Sequence, residues 1–171
     1  QRYTELMDTP AEIVDCPDAV SVEKVKGDIA FNNVTFSYSE GSGEVLTHID
    51  LKVKRGETVA IVGPSGGGKS TLCSLIPRFY DVDDGSITLD GTDIRKITQK
   101  SLRENIGVVQ QDVYLFGGTI RENIEYGKPG ASFEEIVEAA KKAGADGFIS
   151  ELENGYDTDV GERGVRLSGG Q

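Results

Sequence analysis

A glycine-rich stretch in the first half of the chain has residue types and spacing that suit phosphate binding. Residues 63–70 read Gly-Pro-Ser-Gly-Gly-Gly-Lys-Ser and fit the P-loop pattern G-x-x-x-x-G-K-[ST] at every fixed position. Glycine permits close backbone approach to a phosphate, Lys69 would reach the β- and γ-phosphates, and the Ser70 hydroxyl would ligate Mg²⁺. The stretch therefore predicts a nucleoside triphosphate site, with expected contacts from Gly63, Pro64, Ser65, Gly66, Gly67, Gly68, Lys69, Ser70 and Thr71.

A loop of this kind needs a strand before it and a helix after it. Residues 58–62 form a short apolar, partly β-branched run, which predicts a strand buried on both faces. Residues 69–76 read as the first turns of a helix that Pro77 ends. This order directs backbone N–H groups and the positive end of a helix dipole toward a phosphate.

The flanking segments predict an antiparallel layer that leads into a parallel core. Apolar residues alternate over residues 29–38 and 45–53, and Asn32-Asn33 interrupts the first alternation, which indicates a bulge. Residues 106–109 read as a further buried strand. Residues 1–27 carry two prolines and no periodic apolar pattern, which favours an extended tether.

The last third of the chain is predicted to be helical. Residues 119–122 and 132–135 both match the capping box, and each opens an amphipathic stretch.

Composition narrows the class of protein. At 171 residues the chain suits one domain, and its net charge of −11 argues against a nucleic-acid surface. Cys16 and Cys73 lie far apart without metal-ligand spacing, and we interpret them as reduced thiols of a cytosolic protein. No apolar run approaches the roughly 18 residues of a membrane-spanning helix, so we expect the segment to be soluble as written.

The C-terminal pentapeptide restricts the choice among P-loop proteins. Residues 167–171 read Leu-Ser-Gly-Gly-Gln, and with the upstream P-loop the chain resembles the nucleotide-binding domain of ATP-binding cassette (ABC) transporters over essentially its whole length. The resemblance implies an α/β fold of the P-loop NTPase, ABC ATPase type, with an antiparallel β layer, a parallel-sheet core and a helical subdomain. It implies a linker from a membrane domain at residues 1–27, a nucleotide-binding core at 28–109, and a Q-loop with helical subdomain at 110–171.

The resemblance also implies roles for individual residues. Tyr38 matches the A-loop aromatic that stacks on adenine, and Gln111 matches the Q-loop glutamine that touches Mg²⁺ and the attacking water. With Lys69, Gln111 is expected to be catalytic. Glu162 and Arg163 match a loop that contacts the transmembrane domain of exporters. The residues expected to bind the ATP of a second, head-to-tail nucleotide-binding domain are Leu167, Ser168, Gly169, Gly170 and Gln171.

Some parts of the family's catalytic apparatus do not occur in this sequence. No Walker B aspartate, following glutamate or switch histidine comes after the signature, and His48 matches no family position and is interpreted as structural or as a surface residue. We therefore expect that the C-terminal part is missing, that the central sheet has a gap, and that this piece by itself hydrolyses ATP poorly or not at all.

The implied function is that of an ATP-binding domain from a bacterial exporter with a fused membrane domain. Such a domain binds MgATP and, as a homodimer or heterodimer, hydrolyses it to drive transport at the cytoplasmic face of the cell membrane. Two alternatives stay open: an ABC ATPase without a membrane partner, such as a translation factor or a DNA-repair protein, and a nucleotide-binding module without turnover. The linker and the loop at Glu162 and Arg163 favour the exporter.

Overall fold

The computed structural model describes residues 11–39, 43–109 and 115–161. The chain divides into two units, Gln1–Val108 and Val109–Gln171, and each has its own apolar core. We call them the sheet unit and the helical unit, and each is described by itself.

The sheet unit contains a four-stranded antiparallel sheet in the order β2-β1-β3-β4. Its strands are β1 (Ile29–Phe36), β2 (Leu46–Val53), β3 (Asp84–Leu89) and β4 (Thr92–Asp93). Its described residues also form a one-turn 3₁₀ helix (Ile94–Lys96) and the helices α1 (Lys69–Leu75) and α2 (Gln99–Glu104). The predicted antiparallel layer is thus formed.

Strand β1 lies at the centre of this layer because it pairs on both edges. Phe31 is opposite Leu51 of β2 and Ile87 of β3. The register shifts after Phe31 in the pairing with β2 and after Asn32 in the pairing with β3. Asn33 has a φ of 50° at this point, so the predicted bulge is confirmed. The inward side chains of the layer meet those of the two helices in a core that includes Phe31, Val34, Phe36, Leu75, Ile87 and Leu102.

The two runs predicted as buried strands of a parallel core do not form strands in the described structure. Residues 58–62 and 106–109 make no backbone hydrogen bonds to another described strand. Val62 is 88% exposed and Val109 is 98% exposed. The strand predictions are wrong here because a buried strand needs hydrogen-bonded neighbours and covering layers, and neither run has such a neighbour among the described residues.

The N-terminal segment, residues 11–27, is extended and attached to the sheet unit along its length. The Val20 N–H donates to Lys96 O at 2.8 Å, and the Thr98 N–H donates to Val20 O at 2.9 Å. Farther along, the Asp90 carboxylate accepts the N–H groups of Lys26 at 2.6 Å and of Gly27 at 3.0 Å. The segment predicted as a tether is therefore held by specific hydrogen bonds over its described part.

In its described residues, 115–161, the helical unit has three short helices and a 3₁₀ turn. They are α3 (Ile120–Glu125), α4 (Phe133–Lys142), α5 (Asp146–Glu151) and the turn Gly155–Asp157. Both predicted capping boxes are formed, with Thr119 and Glu122 bonded reciprocally at the start of α3 and Ser132 and Glu135 at the start of α4. None of the helices in the described parts of the chain has the length and apolar character needed to span a bilayer.

Candidate functional site

The P-loop of the sheet unit forms a turn whose backbone conformation requires glycine. The Gly67 N–H donates to Pro64 O at 3.2 Å, and Gly66 and Gly68 have φ values of 78° and 76°. A Cβ at Gly68 would lie 2.7 Å from Leu46 Cδ2 and 3.1 Å from Val45 O. Gly68 is therefore required both by its left-handed backbone and by the close approach of the start of β2.

Helix α1 begins directly after this turn without a side-chain cap. Gly68 occupies the N-cap position, and the first backbone bond of the helix runs from Leu72 N to Gly68 O at 2.9 Å. The N–H groups of Lys69, Ser70 and Thr71 have no backbone acceptor within the described residues. Unpaired N–H groups at a helix start form a site for an anion, so the backbone fits a phosphate group.

The Lys69 side chain folds back over the loop. Its Nζ donates to Gly63 O at 3.0 Å and to Pro64 O at 2.6 Å. These carbonyls hold the ammonium at the loop without neutralising it, because no carboxylate forms an ion pair with Lys69 among the described residues. A phosphate bound at the N–H groups would compensate this charge at short range.

Ser70 is exposed in the first turn of α1 and can supply one hydroxyl ligand to a cation. No group of three or more His, Cys, Asp or Glu side chains in the described part of the chain could hold a metal ion. Mg²⁺ is commonly bound through a few protein ligands together with substrate phosphates. One exposed hydroxyl fits this pattern, and Ser70 would hold a Mg²⁺ ion that neutralises phosphate charge.

Tyr38 lies beside the P-loop helix although it precedes it in sequence by a whole strand. Its hydroxyl is 2.8 Å from Thr71 Oγ1, and its side chain is 51% exposed. Its ring makes edge-type contacts with Phe36 at 5.1 Å and with Tyr80 at 5.2 Å between centroids. The structure thus places an exposed aromatic ring beside the first turn of the helix that follows the P-loop.

Sequence reasoning missed Tyr80, and no spacing rule could have found it. Tyr80 follows the end of α1, in a segment whose carbonyls at Pro77 and Arg78 accept hydrogen bonds from Arg103 at 3.0 and 2.8 Å. The Arg103 guanidinium also lies 5.4 Å from the centre of the Phe79 ring. These contacts from α2 order the segment that places Tyr80 against Tyr38.

The far end of α1 is anchored by a buried arginine. Arg78 is 4% exposed, and its Nε and Nη2 bond the two oxygens of Asp81 at 2.7 and 3.0 Å. The hydrogen bonds that Arg78 donates to Asp81 raise the pKa of Arg78 against the opposing effect of burial. Nη2 also donates to Val14 O at 3.2 Å, so the P-loop helix and the N-terminal segment share one anchor.

Several residues predicted to act at the site lie outside the described residues. They are Gln111, Glu162, Arg163 and the signature residues Leu167, Ser168, Gly169, Gly170 and Gln171.

His48, Cys16 and Cys73, which were not predicted to bind nucleotide, lie within the described residues. His48 is exposed in β2, where its Nδ1 lies 3.0 Å from Asn33 Oδ1, as a surface residue would. Cys73 is an exposed free thiol, and the free Cys16 thiol donates to Arg95 O at 3.2 Å.

Comparison with known proteins gives consistent matches. Residues 46–171 match the family described as ABC transporter. YwjA of Bacillus subtilis, an "Uncharacterized ABC transporter ATP-binding protein", is 54% identical over 171 residues, which are 100% of this chain and 30% of that protein. The ATP-dependent lipid A-core flippase of Desulfotalea psychrophila is 55% identical over 171 residues, again 100% of this chain and 30% of the relative.

A solved structure matches in fold as well as in sequence. The structure of a bacterial Atm1-family ABC exporter with ATP bound has a TM-score of 0.91 and 47% sequence identity, and covers 99% of this chain. The chain thus spans 30% of the length of that exporter and of the two curated relatives.

Proposed function

Because the chain belongs to the ABC transporter family, we propose that it is the ATP-binding part of a membrane exporter. The observation that carries this proposal is the joint geometry of the P-loop and Tyr38. Uncapped N–H groups and an unneutralised Lys69 lie at the start of α1, and an aromatic ring is bonded to Thr71 in the same turn. A ligand with both an anionic chain and a planar base satisfies these groups together.

In this proposal the P-loop residues, Tyr38 and Gln111 have distinct tasks. The N–H groups of the loop and the Lys69 ammonium hold the phosphates and stabilise negative charge that develops on the transferred phosphoryl group. Ser70 holds Mg²⁺, which when bound neutralises phosphate charge. Tyr38 stacks on adenine, and Gln111 orients the attacking water.

The remaining residues connect the site to partners. A second nucleotide-binding domain, in a homodimer or a heterodimer, places its signature residues 167–171 on the ATP held by the P-loop of the first. Gln111, Glu162 and Arg163 contact loops of a transmembrane domain, so the chain acts at the cytoplasmic face of the cell membrane. ATP then holds two chains together, and its hydrolysis releases them and drives export.

The proposed domain organisation follows the same division of tasks. Residues 1–27 link to the membrane domain, residues 28–109 bind the nucleotide, and residues 110–171 form the Q-loop and helical subdomain. The boundary between the two compact units at Val108 and Val109 supports the second division.

The proposal is tested first at Lys69. Replacing it with alanine removes charge-assisted hydrogen bonds to phosphate, so Lys69→Ala is expected to weaken MgATP binding by about 10- to 100-fold. Isothermal titration calorimetry measures this loss. The matched control is Lys52→Ala, which removes the same charge from an exposed position of β2. Equal affinity of wild type and Lys69→Ala would exclude this loop as the phosphate site.

A further inference from the structure

Contacts from different parts of the sheet unit hold Tyr38 at its backbone, at its ring and at its hydroxyl. Its neighbour Ser37 donates from N and from Oγ to Asp83 Oδ2, at 2.7 and 2.5 Å. Its ring makes edge contacts with Phe36 of β1 and with Tyr80, at interplanar angles of 81° and 87°, and these two rings also contact each other at 5.6 Å between centroids. These contacts fix the backbone beside Tyr38 and one end of its ring, and the hydroxyl lies at the opposite end.

The hydroxyl end is fixed by Thr71. The two hydroxyl oxygens lie 2.8 Å apart, within the usual range for an O–H···O bond. Thr71 is 5% exposed, and its hydroxyl is not among the buried polar atoms without a partner in the described residues. The bond to Tyr38 is thus what satisfies a buried threonine in the first turn of the P-loop helix.

We propose that Thr71 is a positioning residue for Tyr38, and that its hydroxyl holds the aromatic ring in the orientation that receives the base. The inference rests on the proposed function, in which Tyr38 stacks on adenine. It adds a physical link between the two parts of the site that would hold the base and the phosphates of the ligand. Thr71 follows directly after Lys69 and Ser70, so the turn that binds phosphate also fixes the ring that binds the base.

The effect of this bond is preorganisation. A half-exposed tyrosine can rotate about two side-chain torsions, and stacking on a base requires that this freedom be lost. When Thr71 holds the hydroxyl, part of the loss occurs before the ligand arrives. Removing the bond should weaken binding of a ligand that has a base and leave binding of the phosphate chain itself unaffected.

A direct role of Thr71 at phosphate would behave differently. A hydroxyl that contacts phosphate contributes equally to ATP and to inorganic tripolyphosphate, which has the phosphate chain and no base. The ratio of the two affinities therefore separates positioning of Tyr38 from contact with the phosphates.

The experiment is a double-mutant cycle on the intact chain with MgATP and magnesium tripolyphosphate as ligands. Tyr38→Phe keeps the ring and removes its hydroxyl, and Thr71→Val keeps the shape and removes the partner. Each is expected to weaken ATP relative to tripolyphosphate by about two- to tenfold, the range expected for one immobilised side chain. The double variant should lose no more than either single variant, because both changes remove the same bond.

Two matched variants serve as controls. Thr71→Ser retains the hydroxyl and should keep the wild-type ratio of affinities. Tyr80→Phe removes a phenolic hydroxyl from the same aromatic group, and that hydroxyl makes no bond to Thr71, so the ratio should again be unchanged. A thermal melt of each variant shows that it is folded before binding is measured.

The inference is overturned if Tyr38→Phe keeps the wild-type ratio, if the two losses add in the double variant, or if Thr71→Val weakens both ligands equally. Tyr38→Ala distinguishes these outcomes from failure of the proposed function. If stacking occurs, Tyr38→Ala weakens the binding of ATP relative to that of tripolyphosphate, whether or not Thr71 positions the ring. If Tyr38→Ala leaves the ratio unchanged, the stacking role itself is excluded, and with it the role of Thr71.

Discussion

Lys69 and Gly68 are adjacent in the P-loop but are needed for different reasons, one for its charge and the other for its lack of a side chain. The Lys69 ammonium turns toward the loop and bonds the carbonyls of Gly63 and Pro64, so its charge is placed and remains available for an anion. Gly68 meets a steric demand. It allows the chain to pass close to Val45 and Leu46 and to enter α1 with a positive φ.

The demand on Gly68 can be measured by adding one methyl group. Gly68→Ala forces a Cβ to within 2.7 Å of Leu46 Cδ2 at a φ of 76°. We expect a loss of about 1–3 kcal/mol in the free energy of unfolding, measured by urea denaturation.

Gly63→Ala is the control for this prediction, because a Cβ at Gly63 would meet no atom within 4 Å. It should leave the free energy of unfolding within about 0.5 kcal/mol of wild type. Equal losses in the two variants would show that crowding at Gly68 does not determine the shape of the loop.

At the scale of elements, the N-terminal segment and the sheet form one structure. The segment bonds Lys96 and Thr98 through Val20, and its last residues are received by Asp90 in the turn after β3. Near the start of its described part, Val14 accepts a hydrogen bond from Arg78, which follows the end of α1. A chain that arrives from a membrane domain, as we propose, would therefore connect to the back of the P-loop helix.

Asp90 gives this attachment a predictable dependence on pH. Burial acts to raise the pKa of Asp90, but the N–H groups of Asp28, Lys26 and Gly27 outweigh it and lower the pKa below its usual value. A carboxyl group whose pKa is lower in the folded state stabilises the fold above its unfolded pKa of about 3.9 and loses that contribution as the pH falls through its folded pKa.

Asp90→Asn tests the attachment. It should lower the free energy of unfolding by about 1 kcal/mol near pH 7, since the carboxylate is largely exposed and its bonds are weakened by solvent. The difference from wild type should shrink below pH 4 in denaturation experiments. Glu23→Gln, which removes an exposed carboxylate from the same segment, should change neither. A difference between Asp90→Asn and wild type that does not vary with pH would contradict this account.

At the scale of the whole molecule, the two halves of the proposed ATP bridge belong to different units of the chain. The P-loop lies in the sheet unit, and the signature residues lie in the sequence range of the second unit, outside the described residues. The ABC ATPase fold is confirmed by the family match and by the TM-score of 0.91 to an exporter with ATP bound. Head-to-tail pairing of two chains remains our proposal.

Ser168→Arg tests that pairing. A large cation in the signature should block association of two chains around ATP and leave binding of ATP to a single chain intact. Light scattering with and without MgATP measures association, and calorimetry measures binding. Ser150→Arg makes the same change at an exposed position of α5 and should associate normally. Association of Ser168→Arg at the wild-type level would exclude the signature from the interface.

The sequence by itself determined those features whose physics is local. The P-loop and both capping boxes could be identified from residues a few positions apart, because turn conformation, helix starts and backbone hydrogen bonds depend on near neighbours. The bulge at Asn33 and the alternation of β1 were likewise readable, since side chains of a strand alternate between its two faces. The roles of Gln111 and of the signature came from resemblance and stay predictions.

Tertiary structure decided what depends on distant partners. The hydroxyls of Tyr38 and Thr71 lie within hydrogen-bond distance although the residues are 33 positions apart in sequence, and Arg78 donates to the carbonyl of Val14, which lies 64 positions earlier. The same physics explains the wrong strand predictions at residues 58–62 and 106–109. An apolar run becomes a strand only when neighbouring strands satisfy its N–H and C=O groups, and neither run has such neighbours among the described residues.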